Sequence, residues 1–269
     1  MTQIEIRHKW YTIPTEWNEL TAEQLLQVMD TIYLKNYELE KGKLKLLKVL
    51  TGITYYSWVK LKVTDIDDYL YLTEFLLKET IALTKQLIPQ YENYYGPSDE
   101  AGNMKAGEMV FANHYHDSWW NEKSNIKILD DLVAVLYRPG KKVNSDGDEY
   151  DHISNPDGDH REDFNENISS WNADHFICNW PLGIKLAIAT WYTGCRQLLA
   201  EENKDVFGGP GEPAKYGLIS ILRTIAEKGT YGTFDDVVKM PVSMMMIELN
   251  ETVAEGKKIE EQLQKQSNG

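Results

Sequence analysis

Polar and apolar residues alternate near the start of the chain. Ile4, Ile6, His8 and Trp10 fall on one face, and Glu5, Arg7 and Lys9 on the other. A period of two predicts a strand over 3–13, and Pro14 ends it because proline lacks the N–H a ladder needs. The period then lengthens. In TEWNELTAEQLLQVMD, Thr21 and Gln24 have the spacing of a capping box, and Leu25, Val28, Met29 and Ile32 form a helical stripe. Leu44, Leu47 and Leu50 predict a second helix over 41–51 that stops at Gly52. Ile66, Tyr69, Leu70 and Phe75 predict a third, from Thr64 to a point before Pro89. Short connections between them favour an antiparallel helical cluster.

The segment 91–123 is rich in Gly, Asn and aromatic residues and weakly periodic, with a turn at Gly96–Pro97. A strong helix follows, with Ser124 in the cap position, Leu129, Leu132, Val133 and Leu136 along one face, and Pro139 as its stop. Residues 140–170 read as a long exposed acidic loop, of a length that is uncommon unless functional or mobile. Pro181 opens the best helix of the chain, with Ile184, Ala187, Ile188, Trp191, Cys195 and Leu198 at helical spacing. GGPGEP at 208–213 reads as a linker, and three helical segments follow near 214–228, 233–239 and 242–264. The last has a highly polar tail. No internal repeat is visible. The pattern predicts a mainly α fold: a helical cluster of about eight helices with a short N-terminal β element and a long acidic loop. It divides into a core over 1–207, the linker 208–213, and a C-terminal helical segment over 214–269 that packs on the core.

Composition adds limits. Of 269 residues, 42% are hydrophobic and 11% aromatic, enough for a sizeable core. The 28 basic residues face 42 acidic ones, a net charge of −14. Nucleic-acid binding rests on a positive face, and the longest basic runs here are Lys141–Lys142 and Lys257–Lys258. Direct nucleic-acid binding and docking to an anionic membrane are therefore disfavoured, and a basic partner is favoured. Two cysteines, Cys178 and Cys195, make neither a disulfide scaffold nor a cysteine zinc site. Both read as small core residues in a reducing cytoplasm. The N-terminus does not read as a signal peptide, and no apolar run approaches the ~18 residues of a membrane span.

Candidate chemistry is sparse. Asp146, Asp148, Asp151, Asp157, Asp159 and Asp163 offer hard oxygen ligands, but neither Asp-Gly-Asp unit extends to a calcium loop. His114 and His116 at i and i+2 share a face if the segment is a strand, and His152, His160 and His175 come later. Nothing nearby completes a zinc set. There is no GxSxG, no phosphate-binding glycine loop, and no cofactor is called for. Arg138, at the end of a predicted helix, either bridges a carboxylate or phosphate or complements the helix dipole. Trp17, Trp119, Trp120, Tyr137 and Arg138 are the residues expected to act as interface or architectural anchors.

Four segments carry a resemblance. They are IPTEWNELTAEQLLQVMD, LKLLKVLTGITYYSWVKL, the pair GEMVFANHY and DDLVAVLYRPG, and TFDDVVKMPVSMMMIELNETVAEGKKIEEQ. In this order they resemble small tail-associated proteins of phages of Bacteroidetes and relatives, and the string ending in Leu136-Tyr137-Arg138-Pro139 is the most specific. The resemblance implies a non-enzymatic phage tail protein, most simply a tail assembly chaperone or accessory factor that binds tape-measure or tube subunits in the host cell cytoplasm. It brings no catalytic residues. One alternative is a stoichiometric virion subunit of the tail or connector, for which an oligomer is compatible. Another, from a different class, is a metal-dependent hydrolase or metal-binding protein using His114, His116 and the Asp146–Asp163 loop.

Overall fold

The computed structural model describes residues 1–34, 38–141, 158–207 and 218–267. The fold is mainly α. The first element is not one strand but a hairpin, β1 (Thr2–Ile6) and β2 (Lys9–Ile13), in antiparallel register with Ile4 opposite Tyr11. Arg7 and His8 form its two-residue turn, both at positive φ (49° and 62°). That is the turn that matches strand twist, but it usually carries Asn-Gly, so Arg-His gives no sequence signal. The turn also shifts the alternation by one residue. Ile4, Ile6 and Ile13 face the core, whereas His8 and Trp10 are exposed.

α1 (Ala22–Met29) has the expected reciprocal cap: Gln24 N donates to Thr21 Oγ1 at 3.1 Å and Thr21 N to Gln24 Oε1 at 3.0 Å. A π-helical turn over Asp30–Leu34 follows. α2 (Leu39–Thr51) ends on Gly52 in the left-handed region, φ 63°, and α3 (Tyr55–Trp58) is one short turn. The predicted third helix is replaced by 3₁₀ turns over Val63–Asp65 and Asp67–Leu76, and the helical run stops there. Residues 81–88 instead cross α7 (Leu182–Glu202) as non-helical chain. Ile81 N donates to Gln197 Oε1 at 2.8 Å, and Trp191 Nε1 donates to Thr84 O at 3.0 Å.

A small antiparallel sheet joins β3 (Gln90–Tyr91), β4 (Tyr94–Tyr95) and β5 (Arg138–Pro139) in that order. Between β4 and β5, α4 (Ala106–Asn121) occupies much of the segment that looked aperiodic. Its buried positions are Ala106, Gly107, Glu108, Met109, Ala112, His116 and Trp119. The spacing is helical, but Glu108 and His116 are ionisable and Ala106, Gly107 and Ala112 are small, which hides the stripe. α5 (Ile126–Leu136) starts after Asn125, not at a Ser124 cap, and buries Leu129, Leu132, Val133 and Leu136. The expected loop 140–170 already contains the start of α6 (Glu166–His175), which Asn165 caps by accepting from Ile168 N at 3.1 Å.

α7 is the centre of the fold. Every residue from Ile184 to Cys195 is buried, as expected of a helix surrounded by other elements. Two short helices, α8 (Lys204–Phe207) and α10 (Phe234–Val238), flank α9 (Leu218–Lys228), and α11 (Val242–Ser267) ends the chain. Leu222, Ile225, Val237, Met245, Met246 and Leu249 of this C-terminal part join the same buried cluster as α1, α4, α5 and α7. The 208–213 linker lies outside the described residues. Cys195 is buried as expected, but Cys178 is exposed, which corrects its reading as a core residue. Among the described residues, no helix is long and apolar enough to cross a membrane.

Candidate functional site

α6 has an inverted pattern. It buries Ser169, Asn172 and Ala173, and exposes Ile168 and Trp171, each to 52%. The small, polar inner face fits closely against α5, and Asn172 Oδ1 accepts from the Tyr94 hydroxyl at 3.3 Å. The outer face carries the large side chains. Trp171 stacks on His175, with ring centroids 4.5 Å apart, and meets Phe176 edge-on at 5.2 Å. Phe176, 44% exposed, in turn touches Tyr94, which packs on Trp180. An exposed aromatic face is therefore continuous with an aromatic core formed by Tyr91, Tyr94, Tyr137 and Trp180. Rigid aromatic anchors on a fixed helix are the usual energetic centres of protein interfaces. Ile168, Trp171, His175 and Phe176 do follow helical spacing in the sequence, but Ile168 falls in the stretch read as loop, 140–170, and the other three fall between that loop and the helix opened by Pro181, where no element is expected.

At the C-terminal end of α5 lies a buried charged cluster. Glu108 Oε1 accepts from Arg138 Nη2 at 2.8 Å, and Glu108 Oε2 from Arg161 Nη2 at 3.1 Å. Arg161 also grips Asp159 with two parallel bonds, Nε to Oδ1 at 2.7 Å and Nη2 to Oδ2 at 2.8 Å. The remaining donors meet the end of α5: Arg138 Nη1 donates to Val135 O at 2.9 Å, and Arg161 Nη1 to Leu136 O at 3.0 Å. These are carbonyls that a helix C-terminus leaves without internal partners. Two acids and two bases cancel, and the guanidinium fork suits such paired geometry. Burial opposes the Arg161 charge, but Glu108 and Asp159 outweigh it and hold its pKa above the usual arginine value.

A second buried pair joins Lys185 Nζ of α7 to Asp130 Oδ1 of α5 at 2.6 Å. A third set surrounds His116. Trp120 Nε1 donates to its Nε2 at 2.8 Å, and Arg196 pairs with Asp117 beside its Nδ1. Burial, and then the Arg196 cation, lower the His116 pKa to about 4, with Asp117 opposing. The folded state thus favours neutral imidazole. Its contribution to stability is complete above the ordinary histidine value of 6.5 and is lost as pH falls toward about 4. Thermal melts between pH 7 and 4 are expected to show this loss in the wild type, and a smaller one in His116→Gln.

The residues singled out by sequence fall mostly inside the chain. Trp17, Trp119, Tyr137 and Arg138 are buried and Trp120 is half-buried. Arg138 fulfils both of its readings at once, bridging a carboxylate and closing a helix end. His114 and His116 belong to α4, where two positions turn about 200°. They point to opposite sides, and the shared metal face assumed for a strand does not exist. Asp159 is held by Arg161 rather than exposed in a loop, Asp163 is exposed, and His175 stacks on Trp171. Asp146, Asp148, Asp151, His152 and Asp157 lie outside the described residues. Among the described residues, no cluster of three or more His, Cys, Asp or Glu is placed to hold a metal. No family model, curated protein or solved structure matches the chain.

Proposed function

We propose that this protein works by contact, as a phage tail assembly chaperone or accessory factor that holds a tail component through the outer face of α6. The observation that carries the reading is the inversion of that helix. Exposing Ile168, Trp171 and Phe176 while burying Ser169, Asn172 and Ala173 places apolar area in water without benefit to the isolated fold, and such patches mark interaction sites. The tail assignment is supported by the resemblance of the four segments, and the acidic surface suits a partner with basic character.

The test is capture of the full-length protein from cells producing the phage, with the bound proteins identified by mass spectrometry. Wild type is expected to retain tape-measure or tube subunits. Trp171→Ala, at a half-exposed position, is expected to keep the fold and lose at least tenfold of that capture, in line with ~2 kcal/mol for an interface anchor. Host metabolic proteins as the sole companions would refute the tail reading. Stoichiometric protein in purified particles would replace the chaperone by a virion subunit.

A further inference from the structure

The apolar stripe of α11 does not stop where the core stops. Val242, Met245, Leu249, Thr252, Gly256, Ile259 and Leu263 recur at alternating steps of three and four residues. That 3.5-residue period keeps one seam of a helix facing a neighbour, and it is the repeat of a coiled coil. Val242, Met245 and Leu249 turn their part of the seam into the core, where all three are buried. The rest of the seam lies in water. Ile259 is 57% exposed and Leu263 60%, and every described side chain from Ala254 to Lys265 is exposed.

Polar ties hold the helix up to that point. Lys228 Nζ of α9 donates to Glu248 Oε1 at 2.7 Å and to Thr252 Oγ1 at 2.9 Å. Asn250 Nδ2 donates to Asn203 Oδ1 at 2.7 Å, and Lys257 pairs with Asp205 of α8 at 2.6 Å. The helix then runs on to Ser267, a further length of about 15 Å at 1.5 Å per residue. Gly256 sits in the middle of the seam. A Cβ there would meet nothing within 4 Å among the described residues, and a glycine inside a helix is destabilising relative to alanine. Its effect is a notch between Thr252 and Ile259, a hole of the kind that receives a partner's side chain when helices pair.

We infer that the free end of α11 docks a basic amphipathic helix of a partner protein. The period selects a helix as the occupant, and the residues beside the seam select its charge. Positions 253, 255, 260 and 262 flank the exposed seam and hold Val, Glu, Glu and Gln. Lys257, Lys258 and Lys265 fall on the far side of the helix by the same count. Charges at the flanking positions set partner choice between paired helices. A second copy of this chain brings no base to either flank, in parallel or antiparallel register. In parallel register it also sets glutamate 255 against glutamate 260, which is repulsive. A helix with lysine or arginine beside its own apolar stripe matches both flanks. This surface is separate from the α6 face and stands whether or not that face binds tail proteins.

Fluorescence anisotropy of a labelled synthetic helix, titrated with the full-length protein, tests the inference. The probe is a peptide of about three heptads with leucine along the seam and lysine beside it. A matched peptide carries glutamate beside the seam. The lysine peptide is expected to bind about tenfold more tightly than the glutamate peptide, or better. Ile259→Asp and Leu263→Asp, each with an unchanged melting curve, are expected to weaken that binding by about tenfold or more. Both substitutions add negative charge, so attraction by charge alone would strengthen binding instead. Trp171→Ala is expected to bind the peptide as wild type does. No binding of the lysine peptide at ~100 μM would overturn the inference. So would Ile259→Asp and Leu263→Asp proteins that bind as wild type, or a loss of binding in Trp171→Ala. A wild-type dimer in sedimentation that becomes a monomer in Leu263→Asp would also overturn it, by making a second copy the occupant.

Discussion

Arg161→Met is expected to cost about 3–5 kcal/mol of folding stability, the usual result of stranding a buried charge by removing its partner. Arg161 is 1% exposed and makes side-chain bonds to three groups at once, Glu108, Asp159 and Leu136 O. Without it Glu108 keeps Arg138, but Asp159 loses both of its parallel guanidinium bonds, while the backbone N–H of residue 161 and an Arg138 guanidinium at 3.6 Å stay beside it. Typical domains have roughly 5–15 kcal/mol in total, so a large downward shift of the urea midpoint is expected. Adding Asp159→Asn to Arg161→Met removes the stranded charge and is expected to recover part of the loss. By contrast Arg196→Met, whose partner Asp117 is largely exposed, is expected to cost under about 1 kcal/mol through that pair. An Arg161→Met protein within about 1 kcal/mol of wild type would contradict a structural role for the quartet.

The second large effect is expected at Gly194. A Cβ there would lie 2.2 Å from Leu83 O and under 3 Å from Leu83 N and C. The clash is with backbone, so no rotamer change relieves it. The 81–88 segment also cannot retreat without losing the Trp191–Thr84 and Gln197–Ile81 hydrogen bonds. Gly194→Ala should therefore cost about 3 kcal/mol or more, at or beyond the upper range for overpacking. Gly183, in the first turn of the same helix, has open space around its Cβ position. Gly183→Ala is expected to be neutral or stabilising by up to about 1 kcal/mol. Paired melts of the two variants separate close approach from general helix propensity.

These residues show what was readable in the sequence and what was not. α1, α2, α5, α7 and the C-terminal helices follow from apolar spacing, because their inward faces are made of aliphatic side chains. α4 and α6 break that rule in opposite ways. α4 turns Glu108 and His116 inward because Arg138, Arg161 and Thr193 satisfy them from distant parts of the chain. α6 turns Trp171 outward, so its pattern has the wrong sign for a self-contained fold. Pairings such as Glu108–Arg161, 53 positions apart, leave no local trace. Trp171 was visible as a residue, but not as an exposed one, and exposure is what makes it a candidate for contact.

Under the proposed function, the outer face of α6 meets a tail component. Lys127 is a built-in reporter, since its Nζ lies 2.6 Å from Asp174 Oδ1 on that helix. Amine cross-linking in phage-producing cells, followed by mass spectrometry of the linked peptides, is the test. Links from Lys127 to a tape-measure or tube subunit are expected, and they are expected to disappear in Trp171→Ala. Links from Lys127 only to host proteins, or tail links that persist unchanged in Trp171→Ala, would contradict it.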